Sequence, residues 1–144
     1  MAEPESQVTG IQPTLERAAV DRVTGFVIDT ALDVHRRLGP GLLESVYQTV
    51  LAHELRKRGL CVDAEVPVPV EWDGLRLEVG FRADLIVEAL VVVELKSLEK
   101  MAKVHGKQLL TYLKLLDLPV GLLINFGEAL LKDGITRVVN GLQE

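Results

Sequence analysis

The sequence predicts an α+β fold, a mixed central sheet with helices on its faces. Three observations carry this. Two stretches before residue 60 repeat apolar residues three or four apart. Three extended segments separated by turn dipeptides follow, and then a third helical stretch leads into short apolar strands. The order is helix, helix, three antiparallel strands, helix, strand, strand, and such a sheet needs helices to cover its apolar faces. The chain has 144 residues, enough for one domain with a modest core. That domain is placed at 14–144, after a polar, proline-containing stretch, 1–13, expected to be a mobile tail.

The first helix is expected from Leu15 to Leu38, where Val20, Val23, Val27, Ala31, Val34 and Leu38 share one face. Gly25 weakens its middle, and Gly39-Pro40-Gly41 ends it. A second helix is expected from Leu42 to about Arg58, with Leu43, Val46, Tyr47, Val50, Leu51 and Leu55 as its apolar face and Gly59 just past its end. The segment 61–72 alternates, and Pro67 and Pro69 restrict it to an edge or a bent strand. Asp73-Gly74 signals a hairpin turn into a strand from Leu75 to Glu88. After a turn near Glu88-Ala89, Leu90 to Leu95 reads as a buried central strand. A helix from about Val104 to Leu116, a strand from Pro119 to Phe126 and a last strand after Asp133-Gly134 complete the chain.

Composition excludes several functions. Hydrophobic residues make up 48% and charged residues 26%, an ordinary globular balance. No apolar run approaches the roughly 20 residues of a membrane helix, and the N-terminus does not read as a signal peptide; a cytoplasmic location with no membrane partner is expected. A lone cysteine, Cys61, provides neither an internal disulfide nor an iron–sulfur or multi-thiolate zinc site. The net charge of -5 argues against a non-specific nucleic-acid coat, though not against an enzyme whose carboxylates supply part of that charge.

The chemistry concentrates at Glu94-Leu95-Lys96. Side chains two apart on a strand share a face, so Glu94 and Lys96 project together. A turn near Glu88-Ala89 would place Asp84 across the hairpin from Glu94, about 5 Å away. Paired carboxylates of this kind suit Mg²⁺ or Mn²⁺, and an adjacent ammonium can orient a water and steady a developing negative charge. An exposed cross-strand salt bridge would also account for Glu-x-Lys. Against that, the unbroken apolar run Val91-Val92-Val93 marks a buried strand, where charges are costly without a purpose. On the following helix Gln108 and Tyr112 stand four apart, hence on one face, and can hydrogen-bond phosphate or catalytic groups.

Asp84, Glu94-Leu95-Lys96 and Gln108-Leu109-Leu110-Thr111-Tyr112 resemble the motifs of the PD-(D/E)XK nuclease superfamily, including the Gln-x-x-x-Tyr signature of its RecB-type members. Gly41-Leu42-Leu43-Glu44-Ser45-Val46-Tyr47 is similar to the heptad that names the GxxExxY family, and Val34 to Gly41 and Ile124-Asn125-Phe126-Gly127 also resemble it. The resemblance covers roughly Val20 to Val139. It implies a restriction-endonuclease-like αβββαβ core with an extra N-terminal helix. It also implies Mg²⁺- or Mn²⁺-dependent nuclease chemistry, with Asp84 and Glu94 as metal ligands, Lys96 as catalytic lysine, Glu44 as an additional acidic ligand, and Gln108 and Tyr112 as supporting catalytic residues. Ala83 stands where the superfamily usually has proline.

Between Lys96 and Lys114 lie five lysines against Glu99, a local charge of +4 (5 − 1) in an acidic chain. Lys100, Lys103, His105 and Lys107 are therefore candidate substrate contacts. His105 is also readable as a capping histidine, and His35 and His53 as structural. The expected partner is nucleic acid, DNA ahead of RNA, contacted through its backbone. A homo-oligomer such as a dimer is expected. The alternative is a catalytically silent protein of the same fold serving as an interaction or self-assembly module, with Leu130-Leu131 and the last strand as its apolar surface.

Overall fold

The structure, a computed structural model, describes residues 3–142, with side chains over 15–142. Three helices and five strands follow in the order α1 (Glu3–Leu38), α2 (Glu44–Lys57), β1 (Val62–Trp72), β2 (Leu75–Val87), β3 (Val91–Lys96), α3 (Lys103–Leu116), β4 (Val120–Asn125) and β5 (Ile135–Val139). A single 3-10 turn, Leu131–Gly134, precedes β5. The strands form one mixed sheet in sequence order, antiparallel except for the parallel pair β3–β4. The expected α+β class and αβββαβ core, here α2 through β4, are both present.

The apolar periodicity of α1 has a direct consequence. Val20, Val23, Val27, Ala31 and Val34 are buried against one sheet face, joined by Tyr47, Leu51 and Leu55 of α2. On the sheet, Leu85, Val87, Val91, Val93, Leu122 and Ile124 point to that side. The alternate residues Ile86, Val92 and Leu123 point to the other, where Leu109 and Leu113 of α3 cover them. The central strands β3 and β4 are thus buried on both faces, as their unbroken apolar runs require.

Several details depart from the sequence reading. α1 begins at Glu3, so the backbone over most of the expected tail is helical; the side chains of 1–14 lie outside the described ones. Leu43 and Val46 are exposed: Leu43 precedes α2, which starts only at Glu44, and Val46 lies in the first turn of that helix. Leu131, the first residue of the 3-10 turn, is buried, which leaves Leu130 as the exposed member of that pair. No helix among the described residues is long and apolar enough to cross a membrane.

Candidate active site

One turn sets the register that builds the site. Glu88 and Ala89 both take positive φ (55° and 51°), and Val91 then pairs with Val87, Val92 with Ile86 and Val93 with Leu85. One step further, Asp84 faces Glu94, but the ladder stops there. The carboxylates take over its rungs: the Asp84 N–H donates to Glu94 Oε1 at 3.1 Å, and the Leu95 N–H donates to Asp84 Oδ2 at 2.8 Å. Opposite Asp84 on β1, Glu65 has φ 52°, so the strand pair is distorted at this level. By alternation with Val92, Glu94 and Lys96 project to the α3 side of the sheet.

The pair is poorly solvated. Glu94 is only 8% exposed and Asp84 half-buried. Burial, then the charge of Asp84, pushes the Glu94 carboxyl up to about 8; the Asp84 N–H and Lys96 oppose this in part. Asp84 is also raised, chiefly by burial and further by Glu44, against the lowering effects of the Leu95 N–H and Lys96. Two carboxyls that each raise the cost of ionising the other favour a single proton shared by the pair. A divalent cation would satisfy the same crowded oxygens in the proton's place, so the paired carboxylates fit an oxygen-seeking metal that draws its other ligands from water or substrate.

Tyr112 approaches from α3. Its ring stacks on Phe81 of β2, centroids 3.6 Å apart and 13° from parallel, and burial followed by the Glu94 and Asp84 charges raises its hydroxyl pKa. Gln108, one turn earlier, is exposed on the same helix. Glu44 opens α2 and is exposed; its charge is felt at Asp84. Among the described residues, however, no three His, Cys, Asp or Glu side chains are close enough to hold one metal. Asp84 and Glu94 are brought together; Glu44 is not brought into contact with them. Lys100, Lys103 and Lys107 are exposed along the entry to α3. His105 is half-buried there, its Nδ1 accepting the Ala102 N–H at 3.1 Å as a helix cap. His35, buried, bonds the Glu128 carbonyl through Nε2 at 2.8 Å, in keeping with a structural role.

A set of residues not singled out for a role in the sequence holds these pieces in place. Asn125, fully buried at the end of β4, lies beside Lys96 in the parallel register. Its Oδ1 accepts the N–H groups of Leu98 (2.9 Å) and Gly127 (3.0 Å), and its Nδ2 donates to the Leu98 carbonyl (2.9 Å). The chain leaving β3 after Lys96 is thereby fixed. Ser97 Oγ donates to the Leu42 carbonyl at 2.6 Å, tying that loop to the approach to α2. Tyr47 finishes the link: its hydroxyl donates to the Gly39 carbonyl at 2.6 Å and accepts the Leu42 N–H at 3.0 Å, while its ring stacks on Phe126. Between these loops opens a cleft of about 600 Å³ bordered by Glu44, Ser45, Ser97, Leu98 and Gly127. The signal was present in the sequence as a polar residue closing an apolar strand, Ile124-Asn125-Phe126-Gly127, but its partner Leu98 is far away in the chain.

Comparison with curated proteins and with solved structures gives no match. The model of one family, described as the PD-(D/E)XK nuclease superfamily, matches residues 21–138, from the middle of α1 to the end of β5. That span contains the carboxylate pair, Lys96, the α3 face and the Asn125 clamp, and the chain belongs to the PD-(D/E)XK nuclease superfamily.

Proposed function

We propose that this protein is a divalent-metal-dependent nuclease that hydrolyses phosphodiester bonds, in DNA ahead of RNA. The observation that carries the proposal is the buried Asp84–Glu94 pair with Lys96 beside it, in a chain of this superfamily. Nucleases of the superfamily typically use divalent metals such as Mg²⁺. Asp84 and Glu94 would hold the ion, which supplies a more acidic water and neutralises charge on the scissile phosphate. Lys96, on the same strand face as Glu94, orients the attacking water and stabilises the phosphorane-like charge. Glu44, whose charge reaches Asp84 without contact, acts through water at the edge of the cleft rather than as a third direct ligand. Tyr112 and Gln108 line the α3 side, and Lys100, Lys103 and Lys107 track the phosphate backbone, with His105 in their midst. The finer assignments, to the GxxExxY group and the RecB-type Gln-x-x-x-Tyr signature, belong to the same proposal.

The test is a panel of supercoiled, linear and single-stranded DNA and of RNA, each with Mg²⁺ or Mn²⁺. Cleavage is expected with the wild type and not with Lys96→Ala, with both folded by circular dichroism. A wild-type protein inert on every substrate with both metals overturns the enzymatic reading in favour of a silent, fold-retaining module.

A further inference from the structure

The hairpin formed by β1 and β2 outruns the body of the protein. β2 pairs with β3 only over Leu85–Val87, whereas β1–β2 pairing continues out to Trp72 and Leu75 around the Asp73-Gly74 turn. Closer in, the α3-facing side of this hairpin is covered: Val68 and Ala83 are buried beneath the helix and Phe81 stacks on Tyr112. Farther out, past a shift in the strand register between Val68 and Val70, the hairpin carries more apolar residues, and none of the described residues covers them. Val70 opposes Leu77 and Trp72 opposes Leu75, so these four share a face; Val79, in the irregular stretch that follows, is exposed beside them. Trp72 is 75% exposed, and Leu75, Leu77 and Val79 are each more than half exposed. On the opposite face Arg76 is paired with both Glu71 (2.9 Å) and Glu78 (3.1 Å). The arm therefore has one face made for water and one that is not, and a lone two-stranded arm of this kind is marginal in water.

We infer that a second copy of this chain covers the apolar face, arm against arm about a two-fold axis. Area, charge and edge chemistry point the same way. The exposed Trp and three aliphatic side chains offer on the order of 500 Å² per copy, about 1,000 Å² for two, the lower bound for a specific interface. Residues 70–79 carry three acids and one base, a net of -2 (1 − 3), which disfavours a phosphate backbone as the occupant. In a face-to-face pair those charges stay on the outer, solvated surfaces, so like charges do not confront one another. Strand addition is disfavoured instead: β1 is the sheet edge, and Pro67 and Pro69 remove N–H donors from it. The inference is independent of the nuclease reading.

Trp72 is the sole tryptophan, so its emission reports on this face alone. Emission wavelength and acrylamide quenching are followed from nanomolar to high micromolar protein, with mass by analytical ultracentrifugation on the same samples. The expected result is a doubling of mass accompanied by a blue shift and protection from quenching. In Leu75→Ser/Leu77→Ser both should move to at least tenfold higher concentration, with circular dichroism unchanged. Three results overturn the inference: a monomer with solvent-exposed emission at all concentrations, a dimer in which Trp72 stays exposed, or protection that arises only on adding a DNA oligonucleotide.

Discussion

Asp84 and Glu94 each hold the other's strand: Glu94 Oε1 accepts the Asp84 N–H at 3.1 Å, and Asp84 Oδ2 accepts the Leu95 N–H at 2.8 Å. Two acids thus stand in for the rungs of a β-ladder at the point where β2 and β3 separate. The arrangement satisfies the backbone and confines two carboxyls to one poorly solvated spot. Its consequences are measurable without knowing the substrate.

The metal-free protein should lose stability as pH rises through neutrality. Glu94 titrates near 8 in the folded chain against an ordinary 4.5. An unfolded chain therefore releases this proton first. The stabilisation is fully present below about 4.5 and is lost by about 8, and the raised Asp84 acts in the same direction. Denaturant titrations in EDTA across this window should give a shallower pH slope for Glu94→Gln than for the wild type. Equal slopes would show that Glu94 titrates normally.

Divalent cation should reverse this loss. At 100 times its dissociation constant, Mg²⁺ or Mn²⁺ adds about 2.7 kcal/mol. The effect should be larger at pH 8 than at pH 6, since the ion competes with the shared proton. Thermal unfolding should show the increment in the wild type and in Lys96→Ala, and lose it in Asp84→Ala and Glu94→Ala. Glu44→Ala should retain most of it, because Glu44 does not join the pair.

Asn125→Ala removes three hydrogen bonds and leaves the N–H and carbonyl of half-buried Leu98 and the Gly127 N–H without this partner. The expected loss is about 2–4 kcal/mol by chemical denaturation. Gly127→Ala is expected to be more severe still, since a Cβ there would meet the Leu98 backbone, which cannot step aside. A loss below about 0.5 kcal/mol for Asn125→Ala would mean that water replaces the clamp.

Tyr47→Phe keeps the ring on Phe126 and discards only the hydroxyl bonds to Gly39 and Leu42. It should cost about 1–2 kcal/mol and speed hydrogen exchange at the Leu42 amide ahead of the sheet amides. Uniform acceleration across the chain would place the effect in global stability instead.

Much of the fold was legible because its signals are local. The spacing of Val20, Val23, Val27 and Ala31 marks a buried helix face, and Asp73-Gly74 marks a hairpin turn whose residues do take φ 47° and 82°. Val91-Val92-Val93 marks a strand buried on both sides. Apolar pattern misled at Leu43 and Val46, since periodicity reports a common face and not whether that face is covered.

The sequence by itself determined which elements form, that Glu94 and Lys96 share a strand face, and that a turn near Glu88 would bring Asp84 opposite Glu94. Side-chain period and turn chemistry act over a few residues, so the chain carries them openly. Tertiary structure alone decided that Asp84 and Glu94 cap each other's backbone and so titrate as a pair. It decided that Glu44 influences the pair from a distance, that Asn125 grips Leu98 across the parallel crossover, and that the outer hairpin carries exposed apolar residues past those α3 covers. Each of these depends on the separation of groups distant in the chain, and hydrogen bonds, desolvation and burial fall off over a few ångströms that only the packed fold fixes.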